Sequence, residues 1–340
     1  MSNEPQKRAT IFDIANALGI SHTTVSRALN NSPKVKISTR KKILQTAHKL
    51  NYVPNQNARG LNQGRTYTIG LFFTDLQNGT SALFLTSIIL NIRSQLPENY
   101  FLSINSISST DELGVFDGVI VVSQSKKDQI FIDKLISENI PVVVLNRHIK
   151  NRNIYNYWLD NYEASRKITL HALNSGSRNV GIIQGKSDYN STHERSQGYL
   201  DALSFWTNKY PHRPLYRHLP LKGDYSSEGG YLAMKTLLQD LDNLPDYVFI
   251  ENDDMAIGAL KAINEASNLA KRIRISGFDD TKMAAFSIPA LTTIHSPIAE
   301  MTTLGVATLN RLLNKGSSTN TPLNKRFECP IIFRETLPKK

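Results

Sequence analysis

The chain of 340 residues has a formal net charge of +11, and 40% of its residues are hydrophobic. This length fits two or three domains, the hydrophobic content excludes a disordered chain, and the single cysteine, Cys329, excludes a disulfide framework or a multi-cysteine zinc site. Because no apolar run approaches the roughly 20 residues that span a bilayer, and the first residues lack the apolar core of a signal peptide, we expect a soluble cytoplasmic protein without a membrane partner.

Residues 9–30, ATIFDIANALGISHTTVSRALN, predict two short helices joined by a tight turn. Thr10 can cap the first helix, and Gly19 ends it because glycine enters the left-handed backbone conformation at little cost. Ser21 can cap the second helix, which is expected to bury Val25. Two helices around a glycine turn, the second beginning with short polar residues, are typical of a helix-turn-helix, whose second helix enters the major groove of DNA.

The charge of this N-terminal part favours a nucleic-acid partner over an ordinary helical hairpin. Residues 1–65 contain eleven lysines or arginines and two acids, whereas the remaining 275 residues are nearly neutral. A basic module on a neutral body is typical of polyanion binding. We expect Arg27 to read a guanine, because a guanidinium pairs with O6 and N7 together. Phosphate contacts, which set register, are predicted for Thr10, Ser21, Thr24 and Asn30.

A third helix and a polar segment follow. Ser38 or Thr39 is expected to cap a helix that buries Ile43, Leu44, Ala47 and Leu50, before Pro54 closes the unit. Residues 55–66, NQNARGLNQGRT, predict a linker that folds into a short helix when a partner contributes contacts. Leu61 in this linker either packs on the body or wedges between base pairs in the minor groove.

From Tyr67 onward, apolar strands alternate with amphipathic helices, which predicts parallel sheets with helices on both faces. The length exceeds one such sheet, so we expect two lobes with a ligand between them, beyond the carboxyl ends of the strands. Strands are predicted at 68–73, 100–107, 118–123, 141–146, 179–185, 246–252 and 273–280, and helices at 81–95, 128–138, 162–175, 193–208, 226–240 and 254–268.

The sequence resembles the lactose/galactose-repressor (LacI/GalR) family of bacterial regulators over almost its whole length. TIFDIANALGISHTTVSRALN is similar to the DNA-reading motif of that family, and NYVPNQNARGL is similar to its hinge. HERSQGY, ENDDMAIGAL, ISGFDD, IPALTTI and FRET recur in the family's body at corresponding places. Each fragment is weak alone, and their order and spacing together carry the resemblance.

The resemblance implies an α/β architecture in three parts. A three-helix DNA-binding head over residues 1–54 and a hinge helix over 55–66 precede a two-lobed, periplasmic-binding-protein-like body over 67–340 with Rossmann-like parallel sheets. Its lobes are expected at about 67–158 plus 292–323, and at about 159–291 plus 324–340, with crossings near Trp158 to Asn161, Thr292 and Leu323. The family also implies a homodimer on a near-palindromic double-stranded operator, and a small effector, a sugar or sugar phosphate, that shifts the lobes and orders or disorders the hinges.

Particular residues carry roles that the resemblance implies. His22 and Thr23 occupy the positions that choose neighbouring bases. In the hinge, Asn55 belongs to the motif, Ala58 lets two hinge helices approach and Leu61 matches the hinge leucine. Effector contacts are assigned to Arg195, Asn252 and Asp279, which align with family residues that bind the effector. Asn146 stands where many sugar-binding members of the family have Asp. Two further candidates are Tyr225, which could stack on a sugar face, and Asp75, at the end of the first strand of the body.

The sequence also departs from the family and leaves alternatives open. The segment 105–117 is too short for the usual helix between the second and third strands, and the chain lacks a leucine-rich tetramerisation tail. We predict no catalytic residue, metal site or cofactor, because no phosphate-binding loop, HExxH pair or GxSxG elbow occurs. The main prediction is a repressor of carbohydrate-utilisation genes. The alternatives are a corepressor-dependent or global regulator whose effector is a nucleobase or a partner protein, a sugar-acting enzyme, and a free solute-binding protein.

Overall fold

The structure, a computed structural model, describes residues 9–29, 32–50, 52, 65–77, 80–109, 116–150, 153–266, 272–314 and 322–339. The chain divides into two compact units, Met1–Tyr67 and Thr68–Lys340, which we call the head and the body. The proposed DNA contact Asn30 and the hinge residues Asn55, Ala58 and Leu61 lie outside the described residues, as does most of the predicted hinge helix.

The head contains three helices, α1 (Ile11–Leu18), α2 (His22–Leu29) and α3 (Ile37–Lys49). They pack around Ile14, Val25 and Ile43, each with no exposed surface. One apolar side chain from each helix therefore meets in a single small core. This confirms the predicted three-helix arrangement.

The face of α3 differs from its prediction. Ile43 is buried, but Leu44 remains 49% exposed and Leu50 37% exposed. The helix also begins before the predicted caps, because its N-cap is Lys36, whose side chain makes no capping hydrogen bond. Ser38 and Thr39 therefore lie in the first turn, and the prediction that one of them caps this helix was wrong.

The first lobe of the body is an all-parallel six-stranded sheet. Two of its strands are completely buried because helices cover both faces. Its strands are β1 (Thr68–Phe73), β2 (Phe101–Ser106), β3 (Gly118–Val122), β4 (Val142–Leu145), β5 (Tyr155–Leu159) and β12 (Asn324–Phe327), in the order β12-β5-β4-β3-β1-β2. Its helices are α4 (Ala82–Gln95), α5 (Gln129–Ser137) and α11 (Ile298–Leu313).

The second lobe has a smaller parallel sheet. Its core lies between the sheet and two helices that approach closely, since a Cβ on Gly258 would meet the Ser227 carbonyl. Its strands are β6 (Asn179–Gln184), β7 (Tyr216–Arg217), β8 (Leu221–Lys222), β9 (Tyr247–Ile250) and β10 (Arg274–Ser276), in the order β10-β9-β6-β7 with β8 also on β6. Its helices are α6 (Asn161–Asn174), α7 (Asn190–Lys209), α8 (Ser227–Leu237), α9 (Asp253–Glu265) and α10 (Lys282–Phe286).

The last chain segment that crosses between the lobes lies after residue 327, whereas the sequence placed it near Leu323. β12 pairs in parallel with β5, so Asn324–Phe327 belongs to the first lobe although the sequence assigned residues from 324 to the second. Its residues NKRF are mostly exposed, as in an edge strand, and carry no apolar pattern. A separate two-stranded antiparallel sheet is formed by β11 (Thr293–Ile294) and β13 (Ile331–Ile332).

Two further features of the body bear on the sequence predictions. Between β2 and β3, the described part of segment 105–117 holds one 3-10 turn, Ile107–Ser109. Within the described part of the chain, no helix is long and apolar enough to cross a membrane.

Candidate functional site

The turn of the head is held by local caps that the sequence predicts. The Asp13 carboxylate accepts a hydrogen bond from the Thr10 backbone nitrogen at 2.7 Å, and Thr10 Oγ1 accepts from the Asp13 nitrogen at 3.4 Å. Gly19 ends α1 with a φ of 62°. Ser21 Oγ accepts from the Thr24 nitrogen at 3.2 Å at the start of α2. These contacts fix the angle at which α2 leaves the turn.

The outer surface of α2 presents the side chains predicted to read bases. His22, Thr23 and Arg27 are all exposed. No hydrogen bond or ion pair joins the Arg27 guanidinium to the described part of the chain, whereas the His22 ring rests against Phe12 at 5.2 Å between centroids. Arg27 is therefore available to an external acceptor, in an orientation set by the buried side of α2.

The residues predicted to contact phosphates are partly engaged within the head. Ser21 Oγ and Thr24 Oγ1 lie 2.9 Å apart and share a hydrogen bond, and Thr10 Oγ1 donates to Asp13 at 2.7 Å. Each hydroxyl retains acceptor capacity. The backbone N–H groups at the start of each helix remain the natural donors to a phosphate.

The body contains a small cavity between its two lobes, at the carboxyl ends of the strands, where ligands bind in this architecture. We call it the effector cavity. Its volume is about 30 Å³. Five of the lining residues were predicted from the sequence, namely Asn146, Arg195, Tyr225, Asn252 and Asp279. The other five were not predicted: Thr80, Ser81, Phe84, Gln124 and Ser191.

Asp75, the sixth predicted effector contact, is not among the lining residues. Its Oδ1 accepts a hydrogen bond from the Gln77 nitrogen at 2.8 Å, within the turn that follows β1. Of the residues that the sequence missed, Gln124 follows β3 and Ser81 caps α4. Position after a strand or at a helix start was the available signal for both.

Three lining residues have left-handed backbone conformations. The φ angles are 75° at Asn146, 70° at Tyr225 and 111° at Asp279. Such conformations cost about 1–3 kcal/mol each for residues other than glycine and persist where the surrounding fold enforces them. They point three polar side chains into one cavity, as expected of a binding site.

Arg195 is the most constrained side chain of the cavity. Its Nε donates to Asn161 Oδ1 at 2.9 Å, one Nη donates to the Glu251 carbonyl, and the guanidinium lies over the Phe278 ring at 3.6 Å. The other Nη is 3.8 Å from Asp279 Oδ1. Arg195 thus pairs with Asp279, and not with Glu194, its neighbour in sequence.

Asp279 is a partly buried carboxylate with two favourable contacts. Besides Arg195, Ser296 Oγ donates to its Oδ1 at 3.2 Å. Burial raises the pKa of Asp279 to about 6, against the opposing effect of Arg195. Behind it, burial and the charge of Asp279 raise the pKa of Asp253 to about 8. The cavity therefore holds an acceptor whose charge depends on pH near neutrality.

Tyr225 and Asn252 form the apolar and amide part of the wall. The Tyr225 hydroxyl shares hydrogen bonds with Thr192 at 2.6 Å and Ser191 at 3.1 Å, and its ring stacks on Tyr189 at 6.0 Å. Asn252 Nδ2 donates to the Tyr225 carbonyl at 3.1 Å, and its Oδ1 caps α9 through the Met255 nitrogen. Asn252 therefore positions Tyr225 while it lines the cavity.

Contacts between the lobes close the effector cavity. Ser81 Oγ at the start of α4 donates to Asp254 Oδ2 at the start of α9, at 2.6 Å. The Asn190 nitrogen donates to the Gln124 carbonyl at 2.8 Å. Ligand pockets usually measure about 300–1,000 Å³, far more than this cavity. A ligand of sugar size therefore fits only when the lobes move apart.

Two family models match the chain. The model described as "Bacterial regulatory proteins, lacI family" matches residues 10–55, and the "Periplasmic binding protein-like domain" matches residues 169–337. The probable HTH-type transcriptional repressor ExuR of Bacillus subtilis (strain 168) is 40% identical over 312 residues, which cover 90% of this chain and 92% of that protein. Catabolite control protein A of Priestia megaterium is 28% identical over 319 residues, which cover 90% and 93%.

Solved structures share the fold. The lac repressor dimer bound to operator and the anti-inducer ONPF has a TM-score of 0.79 at 22% identity, over 98% of this chain and 100% of that one. The complex of the transcriptional regulator CelR with cellobiose has a TM-score of 0.66 at 23% identity, over 97% and 100%. The likeness covers the head and the body together.

Proposed function

The chain belongs to the lacI family of bacterial regulatory proteins, and on that premise we propose that it represses carbohydrate-utilisation genes under the control of a sugar or sugar phosphate. Its family makes it a DNA-binding transcriptional regulator and not an enzyme. The observation that carries the proposal is the pair formed by the buried Arg195 and the partly buried Asp279, which faces a cavity between two lobes. A carboxylate beside a guanidinium suits neighbouring sugar hydroxyls, since one accepts hydrogen bonds and the other donates them.

We propose that the head reads one half of a near-palindromic operator per subunit of a homodimer. Arg27 is assigned to a guanine and His22 and Thr23 to neighbouring bases, because all three are exposed on α2. Thr10, Ser21, Thr24 and Asn30 are assigned to phosphates. In the proposed hinge at 55–66, Asn55 and Ala58 support paired helices and Leu61 enters the minor groove.

We assign the effector to the cavity of the body. Asp279 accepts from the sugar, Arg195 donates to it, and Asn146 and Asn252 supply amide groups. The ring of Tyr225 offers an apolar surface to the sugar. Asp75 remains a proposed effector contact, although it is not among the residues that line the cavity. Sugar binding then favours one separation of the lobes and so biases the hinges, which is a population shift between two states.

We propose a cytoplasmic location, where the chromosomal target of a repressor lies. The single cysteine of the chain, Cys329, is a free thiol, and free cysteines without disulfides are usual in a reducing compartment.

A ligand screen on the full-length protein tests the effector proposal. Sugars and sugar phosphates are first ranked by the rise in melting temperature, because a ligand that prefers the folded state stabilises it. The best compound is then added to protein bound to its operator, and we expect a loss of affinity of at least tenfold. A compound that tightens operator binding identifies a corepressor instead. Operator binding that ignores every compound able to bind the body contradicts control by a sugar.

A further inference from the structure

A second cavity lies beside the effector cavity and shares none of its lining residues. Its volume is about 520 Å³, and we call it the flank pocket. The first lobe contributes Lys126, Arg147, His148 and Lys150, and the start of α7 in the second lobe contributes Asn190 and Glu194. The pocket therefore exists only while the two lobes lie together, and most of its charged lining is positive.

Arg147 is the unusual residue of the flank pocket. Only 6% of its surface is exposed. Its Nε donates to Ser123 Oγ at 2.8 Å and one Nη donates to Gln129 Oε1 at 3.0 Å, and both acceptors are uncharged. Within the described part of the chain, the other Nη has no hydrogen-bond partner and no carboxylate forms an ion pair with the guanidinium. A buried cation that no carboxylate contacts directly is costly, which supports an anion as the partner that completes the site.

The nearest acidic side chains are occupied elsewhere. Asp128 accepts hydrogen bonds from Thr74 at 2.6 Å and Ser123 at 2.8 Å, besides two backbone nitrogens. Asp133 accepts from Gln129 at 3.0 Å. Both carboxylates raise the pKa of Arg147, yet burial has the larger effect and lowers it. Their attraction therefore compensates the buried charge only in part.

Glu194, the one acidic residue of the lining, is also satisfied by neutral groups. Its oxygens accept from Asn190 Nδ2 at 2.7 Å and Asn161 Nδ2 at 3.0 Å. Lys126 and Lys150 are exposed at the rim, and neither forms an ion pair with a carboxylate among the described residues. The His148 ring stacks on Trp158 at 4.1 Å, which fixes this side of the wall. Three cationic side chains thus face the pocket against one carboxylate that does not pair with them.

We propose that the flank pocket binds a phosphate group, either as the free ion or as a phosphate monoester. Arg147 offers a planar fork of donors at the wall, which matches phosphate oxygens, and the two lysines contribute charge from the rim. The site is separate from the proposed sugar contacts, so it stands whether or not a sugar is the effector.

The flank pocket is coupled to the effector cavity through α7. Asn190 and Glu194 face the flank pocket, while Ser191 and Arg195 from the same turn line the effector cavity. Because side chains of both lobes line the flank pocket, a phosphate that fills it stabilises the closed arrangement. By thermodynamic linkage, the phosphate and an effector that prefers this arrangement increase each other's affinity by the same factor.

Titration calorimetry on the full-length protein at constant ionic strength tests the site. The probes are inorganic phosphate, ribose 5-phosphate and ribose. Lys126→Gln with Lys150→Gln removes the two rim charges, and these side chains are exposed, so folding is not at risk. Lys167→Gln with Lys222→Gln removes two exposed lysines elsewhere and is the matched control.

We expect one phosphate per chain, an affinity at least tenfold weaker in the Lys126/Lys150 variant, and a change below twofold in the control. Tighter binding of ribose 5-phosphate with the same dependence on the lysines identifies a monoester, and equal binding identifies the free ion. Unsaturable binding, or equal phosphate affinity in both variants, means an adventitious ion only and overturns the proposal. Ribose binding that depends equally on these lysines overturns it too, because charge would then not be what the pocket recognises.

Discussion

Arg195 Nη2 lies 3.8 Å from Asp279 Oδ1, although one residue belongs to α7 and the other follows β10. The fold brings them together at the carboxyl end of the second sheet and holds the arginine by Asn161, the Glu251 carbonyl and the Phe278 ring. Such a fixed charge pair needs little reorganisation when a ligand arrives. It is therefore the element on which the predicted ligand response depends.

Asp279→Ala is expected to abolish the response to the effector while operator binding persists. The change removes the carboxylate acceptor, and a hydrogen bond to a charged group contributes about 1.5–3 kcal/mol, so ligand affinity should fall more than tenfold. Fluorescence anisotropy with operator DNA, with and without ligand, measures both properties. Asp242→Ala on the exposed surface is the control. A variant that still responds normally removes Asp279 from the effector site.

The hydrogen bond from Ser81 to Asp254 is expected to stabilise the closed lobes. Ser81→Ala should favour separated lobes and strengthen ligand binding about three- to tenfold, because a typical hydrogen bond contributes about 0.5–1.5 kcal/mol and this one holds the cavity at a volume too small for a sugar. Ser81→Thr keeps the hydroxyl and serves as the control. A double-mutant cycle with Asp254→Ala separates this contact from the role of each residue as a helix-terminal group. Fully additive effects would show that the contact contributes nothing.

The sequence predicted the local elements best. Thr10, Gly19 and Ser21 carry their capping signals within a few residues, and the helix-turn-helix formed as expected. The N-cap of α3 is Lys36, whose side chain makes no capping hydrogen bond, so no local signal marked the beginning of this helix. The charged residues of β12 gave no strand pattern, because pairing with β5 at a sheet edge is a long-range property.

The effector cavity was predictable only in part. Arg195, Asn252 and Asp279 line it, as strand order and family resemblance suggested. Thr80 and Ser191 are small neutral residues whose presence depends on how closely the lobes approach, and sequence patterns carry no information on that distance. Asp75 follows β1 but turns into its own loop, where it accepts from Gln77.

Arg27→Ala is expected to reduce operator affinity at least tenfold and to leave non-specific DNA binding nearly unchanged. A bidentate contact to guanine contributes about 1–3 kcal/mol of discrimination, and a dimer makes it twice. Lys49→Ala, which removes an exposed charge from α3, should instead weaken both kinds of binding by a similar factor. Ligand affinity of the body is the folding control. Equal loss on specific and non-specific DNA would make Arg27 a phosphate contact.

Leu61→Ala in the proposed hinge is expected to reduce the bend of operator DNA and to weaken binding. An inserted apolar side chain unstacks a base step and kinks the duplex, and alanine is too short to do so. Gly60→Ala is the contrasting variant, because it favours helix by about 0.5–1 kcal/mol and should tighten binding two- to fivefold. Gel mobility on circularly permuted fragments measures the bend. An unchanged bend angle for Leu61→Ala would refute the wedge.

The stability of the body is expected to fall as pH rises from 6.5 to 8.5. Burial raises the pKa of Glu251 to about 7 and that of Asp253 to about 8, above their ordinary values, so the native state binds more protons than the unfolded state in this window. Burial lowers the pKa values of His148 and His218. These two histidines make the stability rise with pH, but only at pH values below this window.

Tryptophan fluorescence follows this unfolding selectively. Both tryptophans, Trp158 and Trp206, belong to the body. The effector-free protein should show a lower denaturation midpoint in urea at pH 8.5 than at pH 6.5, and Asp253→Asn should flatten the difference. A midpoint that rises with pH would contradict the assignment of raised carboxyl pKa values.

The central claim, that this chain reads a specific DNA sequence through its basic head, is tested most directly by selection from a random double-stranded library with the full-length protein. Repeated rounds should enrich a near-palindromic site, and Arg27→Ala should fail to enrich it. Recovery of unenriched DNA by the wild-type protein, both alone and with each compound that stabilises the body, would contradict the account.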